Sequence, residues 1–129
     1  MSGLAILAVF SGAGLGALLR WWLSILLNPI FPTIPMGTVS ANLIGGLLVG
    51  VSSAYFNHHS GLPPEFRLLV ITGFLGGLTT FSTFSVEVVT LIGRHEYAWA
   101  LGAASLHLGG SLLLTGAGIF LAHWLLIRS

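Results

Sequence analysis

The chain has 129 residues, of which four are Lys or Arg and three are Asp or Glu, and its mean hydropathy is +1.00. A water-soluble domain of this length needs a far more charged surface, so the composition excludes that class. The absence of cysteine excludes disulfides, thiolate chemistry and iron–sulfur clusters, and no basic patch for nucleic acid occurs.

Four apolar stretches follow one another, separated by short segments that contain Pro, Asn, Gly or charged residues. Each stretch reaches the roughly 20 residues that a membrane-spanning helix needs. The first lacks a basic leading region and is longer than the core of a signal peptide, so we expect it to stay in the mature protein. We therefore predict an all-α membrane protein with a single domain over residues 1–129 and helices at 3–27, 36–57, 63–93 and 96–127.

Positive charges are evenly distributed across this topology. Arg67 and Arg128 fall on the side of the two termini, whereas Arg94 and the span-embedded Arg20 fall on the other side. Orientation is normally set by an excess of Lys and Arg in cytoplasmic loops. Without that excess a chain can insert both ways round, which permits an antiparallel homodimer. The alternative is that Arg20 lies too deep to count or that the amino-terminal amine decides the orientation, and charge alone leaves both open.

Glycines spaced by four residues recur in three of the predicted helices. The pairs are Gly12 with Gly16, Gly46 with Gly50, and Gly73 with Gly77. Such spacing lets helix backbones approach closely in a membrane. Because four helices of one chain pack around side chains and leave little room for an aqueous path, we expect a homodimer whose subunits interlock.

Polar residues form stripes on the second and fourth helices. Thr38 and Asn42 are four residues apart and so share a face, as do His107, Ser111 and Thr115. For any single hydroxyl the simpler interpretation is a bond to its own helix backbone or to a neighbouring helix. Stripes on several helices also fit convergence on one pathway.

The third helix contains the most polar tract, Gly73 to Ser85, with three glycines and five hydroxyl residues. At about 100° per residue, Thr79, Ser82 and Thr83 share a face, and Phe81 and Phe84 lie opposite. Neutral donors without a carboxylate ring favour a small anion over a cation, and aromatic ring edges are also positive. Ordinary packing remains the alternative for the two phenylalanines.

The same tract predicts a break in the third helix near residues 76–80, because glycines and hydroxyl residues weaken a helix in its middle. Unwound carbonyls at membrane depth are tolerated where they are buried in protein or coordinate an ion. Two such breaks at a dimer axis would offer oxygen ligands to Na⁺. Burial of the carbonyls in protein is the alternative.

Three motifs resemble those of the Fluc fluoride channels, also called CrcB proteins. Residues 73–85, GFLGGLTTFSTFS, are similar to their third-helix signature. The second-helix pattern Gly37-Thr-x-x-x-Asn-x-x-Gly-Gly46 and the first-helix pattern Gly12-x-Gly-x-Gly-x-x-x-Arg20 are similar to two others. The resemblance covers nearly the whole chain.

This resemblance implies a dual-topology antiparallel homodimer with a broken third helix in each subunit and two pores. Such a multi-pass protein of the bacterial inner membrane exports fluoride passively from the cytoplasm and confers fluoride resistance, and it is not an enzyme. The implied partners are a second copy of the chain, fluoride and the lipid bilayer, and the implied cofactor is a structural Na⁺ at the dimer centre.

The resemblance also implies roles for particular residues. The two phenylalanines line the pores, the second-helix amide and a polar track contact the ion, and backbone carbonyls of the broken helix bind Na⁺. The pore residues are Asn42, Phe81, Phe84, Ser82, Thr83, Ser85, His107 and Ser111, and the Na⁺ carbonyls are those of Gly76 and Thr79. His107 stands where the family often has tyrosine. Arg20 either supplies a positive vestibule or makes a structural or interfacial contact.

Two other functions compete with the channel. A small dual-topology proton-coupled exporter would need a titratable group deep in the helices, for which the chain offers Glu87, near a predicted helix end, and His107. A bonded, structural Glu87 is the alternative. The other competitor is a non-transporting membrane subunit of a larger complex.

Overall fold

The computed structural model describes residues 1–127, and its regular structure over that range is entirely helical. Four helical segments are long and apolar enough to cross a membrane: Gly3–Ile30, Met36–His58, Pro64–Gly93 and Tyr97–Leu125. We call them the first to fourth spans. They confirm the predicted class of a four-helix membrane protein. Arg128, which entered the charge balance, lies outside the described residues.

Side chains cap the amino-terminal ends of the first two spans. The Oγ of Ser2 accepts a hydrogen bond from the Ala5 amide at 3.0 Å. Asn28, which ends the first helix Gly3–Leu27, accepts from the amides of Gly37 at 2.7 Å and Thr38 at 3.3 Å. These amides lack partners within their own helix. The Asn28 contact therefore ties the start of the second span to the end of the first.

A left-handed residue ends the third span. His95 has a φ of 61°, and the Glu96 amide donates to the Leu91 carbonyl at 2.9 Å. This arrangement is a Schellman-type cap, which satisfies free carbonyls and reverses the chain direction. The fourth helix, Tyr97–Leu125, begins directly after it.

The closest helix packing joins the first span to the third and the second to the fourth. At Gly16 an added Cβ would strike the Phe74 carbonyl and come within 2.7 Å of the Leu78 amide nitrogen. At Gly118 it would come within 2.9 Å of the Val51 amide nitrogen. The absence of a side chain therefore allows backbone-to-backbone contact, as small residues do in membrane bundles.

Alanine, valine, leucine and isoleucine side chains form the buried interior, and many other large apolar side chains face outward. One buried cluster joins the second and third spans. Another lies where the loop between the first and second spans (residues 31–35) meets the second, third and fourth spans. The first contains Ala41, Leu75 and Leu78, and the second contains Ile34, Val39, Leu91, Ala100 and Ala103. Large apolar side chains such as Phe10, Leu113 and Phe120 are exposed in the single chain. Lipid or another apolar surface suits such a face.

The third span is irregular. An α-helical turn at Pro64–Arg67 leads into a π-helical segment, Leu68–Leu75, and a short α-helical piece, Gly76–Leu78. Thr79 then has extended dihedral angles, with φ −84° and ψ 154°, and α-helix resumes over Ser82–Gly93. A constant rotation of 100° per residue therefore does not apply across residues 79–81.

The glycine contacts predict a difference between two positions on one helix. Gly16→Ala should lower the free energy of unfolding by about 1–3 kcal/mol because the methyl group overpacks the contact with the third span. An added Cβ at Gly14 meets nothing within 4 Å, so Gly14→Ala is the matched control. Thermal unfolding in detergent measures both, and an equal loss in the two variants would contradict the close approach at Gly16.

Candidate functional site

The side-chain amide of Asn42 pairs with the backbone of Thr80. Its Nδ2 donates to the Thr80 carbonyl at 2.9 Å, and its Oδ1 accepts from the Thr80 amide at 2.8 Å. The pairing is reciprocal, so the orientation of the amide group is fixed. A residue on the second span thereby satisfies backbone groups that lie outside the regular helix of the third.

The hydroxyls of Thr79 and Thr80 bond to backbone groups at the end of one helical piece and at the start of the next. The Thr79 Oγ1 and amide both donate to the Leu75 carbonyl, at 2.9 and 3.1 Å. The Thr80 Oγ1 accepts from the Thr83 amide at 3.1 Å, as a capping hydroxyl does at a helix start. The threonine pair therefore ends one helical piece and begins the next.

The second amide hydrogen of Asn42 is directed at the fourth span. Nδ2 of Asn42 lies 2.9 Å from Nδ1 of His107. His107 is only 3% exposed, and its Nε2 is buried without a hydrogen-bond partner among the described residues. Both hydrogens of the Asn42 amide are thus engaged by protein groups, so the expected free amide donor for an anion is not available in this conformation.

Three rings lie in sequence beside this contact. The Phe81 and Phe84 rings meet edge to face with centroids 5.5 Å apart and planes at 77°. The Phe84 ring lies 4.5 Å from the His107 ring. In the single chain Phe81 is 78% exposed. An edge-to-face pair directs the positive rim of one ring toward the negative face of the other.

A cavity of about 420 Å³ lies against these groups. The predicted site residues that line it are Asn42, Gly76, Thr79, Phe81, Phe84, His107 and Ser111. Thr115, the third member of the fourth-span stripe, also lines it and donates to the Gly46 carbonyl at 2.9 Å. The lining contains no Asp, Glu, Lys or Arg among the described residues. The fourth-span stripe therefore faces one cavity.

The predicted grouping of residues on the third span is wrong. Thr79 lies at the cavity with Phe81 and Phe84, whereas Ser82 and Thr83 are exposed in the single chain and do not line it. The physical reason is the extended backbone at Thr79, which changes the rotation between the two helical pieces. Ser85 is also absent from the lining, and its Oγ donates to its own i−4 carbonyl, that of Phe81, at 2.8 Å.

Arg20 makes a structural contact within the bundle. Its Nε donates to the Gly77 carbonyl at 3.2 Å, and the side chain is partly buried. The cavity lining does not include it. The contact agrees with the expected structural bond, and it joins the first span to the third just before the extended residue.

Glu87 also bonds to a neighbouring span. Its Oε2 accepts from the Thr38 Oγ1 at 2.7 Å. Thr38 is 1% exposed, so the contact is well shielded on the second-span side. Thr38 and Asn42 both reach the third span from one face of the second, in agreement with their predicted shared face.

The backbone near the extended residue suits a hard cation. In an uninterrupted α-helix the Thr80 and Thr83 amides would donate to the carbonyls of Gly76 and Thr79. Here they donate to Asn42 Oδ1 and Thr80 Oγ1. Two carbonyl oxygens are thereby released, and such oxygens coordinate Na⁺ in membrane proteins. Within residues 1–127, no group of three or more His, Asp or Glu side chains has a metal-binding arrangement.

Sequence reasoning missed the central position of Thr80. Its backbone receives both bonds of Asn42, and its hydroxyl caps the following helix. An asparagine in one uncharged span, together with a weakened helix in another, could have indicated this contact. A side-chain amide can bond to a free carbonyl and a free N–H at the same time. No spacing rule connects residues 38 positions apart.

Comparison with known proteins finds one matching family model and relatives that share a single name. Residues 7–119 match the family model described as CrcB-like protein, Camphor Resistance (CrcB). A fluoride-specific ion channel FluC of Burkholderia orbicola is 58% identical over 124 residues, which are 95% of this chain and 97% of that protein. One of Nitrosospira multiformis is 58% identical over 121 residues, 94% of each chain. One of Burkholderia cenocepacia is 59% identical over 122 residues, 94% of this chain and 95% of its own.

The Asn42 pairing predicts a large loss of stability on its removal. Asn42→Leu leaves the Thr80 amide and carbonyl without partners, at a cost of about 1–3 kcal/mol for each buried group. Thr115→Val is the control, because it removes one side-chain hydrogen bond, worth about 1 kcal/mol. Thermal unfolding in detergent and hydrogen exchange at the Thr80 amide measure the effect. Equal melting temperatures for the two variants, with Thr80 still protected, would refute the pairing.

Proposed function

The chain belongs to the CrcB family, and from this membership we propose that it is a fluoride-selective channel that lets fluoride leave the cytoplasm passively. The supporting observation is its similarity, over nearly its full length, to proteins that bear the name of fluoride-specific ion channels. Fluoride resistance of the cell follows from such export. We place the protein in the bacterial inner membrane, as a single multi-pass domain.

The cavity chemistry supports a small dehydrated anion. The lining combines aliphatic side chains with aromatic rings, hydroxyls and an imidazole, and it includes no Asp, Glu, Lys or Arg among the described residues. The edge of Phe81 or Phe84 presents positive hydrogens to an anion, and the Ser111 hydroxyl replaces water. A lysine or arginine in the path would bind the ion more strongly and slow its release, whereas conduction needs binding that is reversible.

A second copy of the chain completes the proposed pore. In the single chain Phe81, Ser82 and Thr83 are exposed on a span that must cross the bilayer. Lipid cannot satisfy hydroxyl groups, so these residues are better placed against protein or an aqueous path. The balanced arginines allow both orientations. We propose an antiparallel homodimer with two pores, in which Ser82, Thr83 and Ser85 continue the polar track and Arg20 contributes positive potential to a vestibule.

The extended backbone at Thr79 suggests a structural role for a cation. We propose that the third span acts as a broken helix and that the carbonyls of Gly76 and Thr79 from both subunits hold Na⁺ at the dimer centre. When bound, the ion would neutralise the negative ends of these carbonyls. Arg20 and Asn42 help by fixing the backbone at Gly77 and at Thr80, each of which directly follows one of the two released oxygens.

Flux from liposomes tests the channel. We expect purified protein to release fluoride electrogenically, without a pH gradient, and to release no chloride. Flux that requires a proton gradient and disappears in Glu87→Gln would favour the proton-coupled exporter. Liposomes that release no fluoride under any gradient would favour a non-transporting subunit.

The two phenylalanines should be needed for flux and not for folding. Phe81→Ile or Phe84→Ile removes the aromatic edge and should lower the fluoride rate by about tenfold or more, which corresponds to a barrier higher by about 1.4 kcal/mol. Phe10→Ile is the control, since Phe10 is an exposed aromatic residue of the first span outside the cavity lining. The assay is fluoride efflux at equal protein density. Wild-type rates in both pore variants would remove the rings from the path.

Dual topology is open to a direct test because the chain contains no cysteine. Gly61 lies in the loop between the second and third spans, and an added Cβ there meets nothing within 4 Å. We expect impermeant maleimide to label similar fractions of Gly61→Cys from the outside in intact cells and from the cytoplasmic side in inverted membrane vesicles. The cysteine-free chain is the control for background labelling. Reaction from one side alone would contradict antiparallel insertion.

A further inference from the structure

The unpaired nitrogen of His107 suggests a further feature of the ion path. This nitrogen, Nε2, is buried and has no hydrogen-bond partner among the described residues. Buried polar atoms in folded proteins nearly always have partners, and an exception needs a reason. His107 lines the cavity beside Phe84, so a ligand in that cavity is one source of the missing partner.

The hydrogen bonds around Asn42 determine which nitrogen of His107 has the proton. In the Asn42 side-chain amide only the oxygen can accept from the Thr80 N–H, and only the nitrogen can donate to the Thr80 carbonyl, so the amide cannot be flipped. Its Nδ2 therefore faces His107 Nδ1 at 2.9 Å as a donor. Nδ1 must accept, which requires it to be unprotonated. In a neutral imidazole the proton then resides on Nε2.

We infer that the contact from the Thr80 backbone through Asn42 fixes His107 as the Nε2–H tautomer, and that this N–H is a donor to fluoride in the cavity. The inference rests on the proposed channel function and adds a mechanism to it. A hydrogen bond from a neutral donor to an anion is charge-assisted and so stronger than one between neutral groups. A neutral donor also avoids the tight binding that a fixed cation would cause.

Access to the donor requires a small movement. Because Nε2 is closed to solvent in this conformation, a neighbouring side chain must shift before an ion can touch it. We assign that movement to Phe84, whose ring lies 4.5 Å from the imidazole and 5.5 Å from the Phe81 ring. The ion would then contact a ring edge and the N–H together, having left its water behind.

Nitrogen NMR tests the tautomer directly. Wild-type protein labelled with ¹⁵N-histidine is reconstituted in lipid, and the His107 signals are assigned by their absence in His107→Gln. We expect one protonated nitrogen, Nε2, and one unprotonated nitrogen, Nδ1. Added NaF should shift the Nε2 signal and produce ¹⁵N–¹⁹F coupling across the hydrogen bond, whereas NaCl at the same concentration should not. A proton on Nδ1, or an Nε2 signal that NaF leaves unchanged, would overturn the inference.

Flux through variants gives a second measurement. His107→Leu removes the donor and should lower fluoride efflux about 10- to 100-fold, as loss of a hydrogen bond to a charged group does. In His107→Gln the amide can accept from Asn42 and donate to the ion, so its rate should be restored to within about tenfold of wild type. His123→Gln, on the same span and outside the cavity lining, is the control. A wild-type rate in His107→Leu overturns the inference.

The two levels of failure are separable. If the wild-type protein releases no fluoride, the proposed channel function is wrong whatever the tautomer. If the wild type conducts and the Nε2 signal does not respond to fluoride, the channel stands and the donor role of His107 is wrong.

Discussion

The reciprocal pairing of the Asn42 amide with the Thr80 backbone is the contact on which the site depends. A peptide group that leaves the helix pattern inside a membrane has no water to bond to, so its N–H and C=O need partners from the protein. One side chain on the second span supplies both. With those bonds made, Thr79 can adopt extended angles. The interruption at residues 79–81 places Phe81 and Phe84 beside the cavity and leaves the Gly76 and Thr79 carbonyls without the amide donors that a continuous helix would supply.

Several supporting contacts stabilise the same region from other spans. Arg20 bonds the Gly77 carbonyl, and Thr38 bonds Glu87 beyond the interruption. Gly16 lets the first span approach Leu78 at backbone distance. In these contacts the charged groups of Arg20 and Glu87 are hydrogen-bonded outside the cavity, and the described lining of the cavity contains no Asp, Glu, Lys or Arg. The anion path that we propose would rely on dipoles and ring edges, whose attraction is strong only where water is excluded.

Particular residues show how far the sequence alone could go. The class, the four spans and the stripe of His107, Ser111 and Thr115 follow from hydropathy and a regular 3.6-residue period, and the structure agrees with them. The prediction that Thr79 shares a face with Ser82 and Thr83 was wrong, because it applied the helical rotation of about 100° per residue through residues 79–81, which are not helical. Asn42 was identified from its motif, but its partners were not, since contacts between distant residues leave no local pattern.

The sequence by itself determined the membrane environment, the number of helices and, through its motifs, the family. Those properties depend on composition, on local periodicity and on side-chain identity, which a linear chain displays. Only the tertiary structure decided which polar groups are already paired: both amide hydrogens of Asn42 are engaged, whereas Nε2 of His107 has no partner among the described residues. The physical reason is that a hydrogen bond depends on distance and direction between atoms of different spans, and these are fixed only when the helices pack.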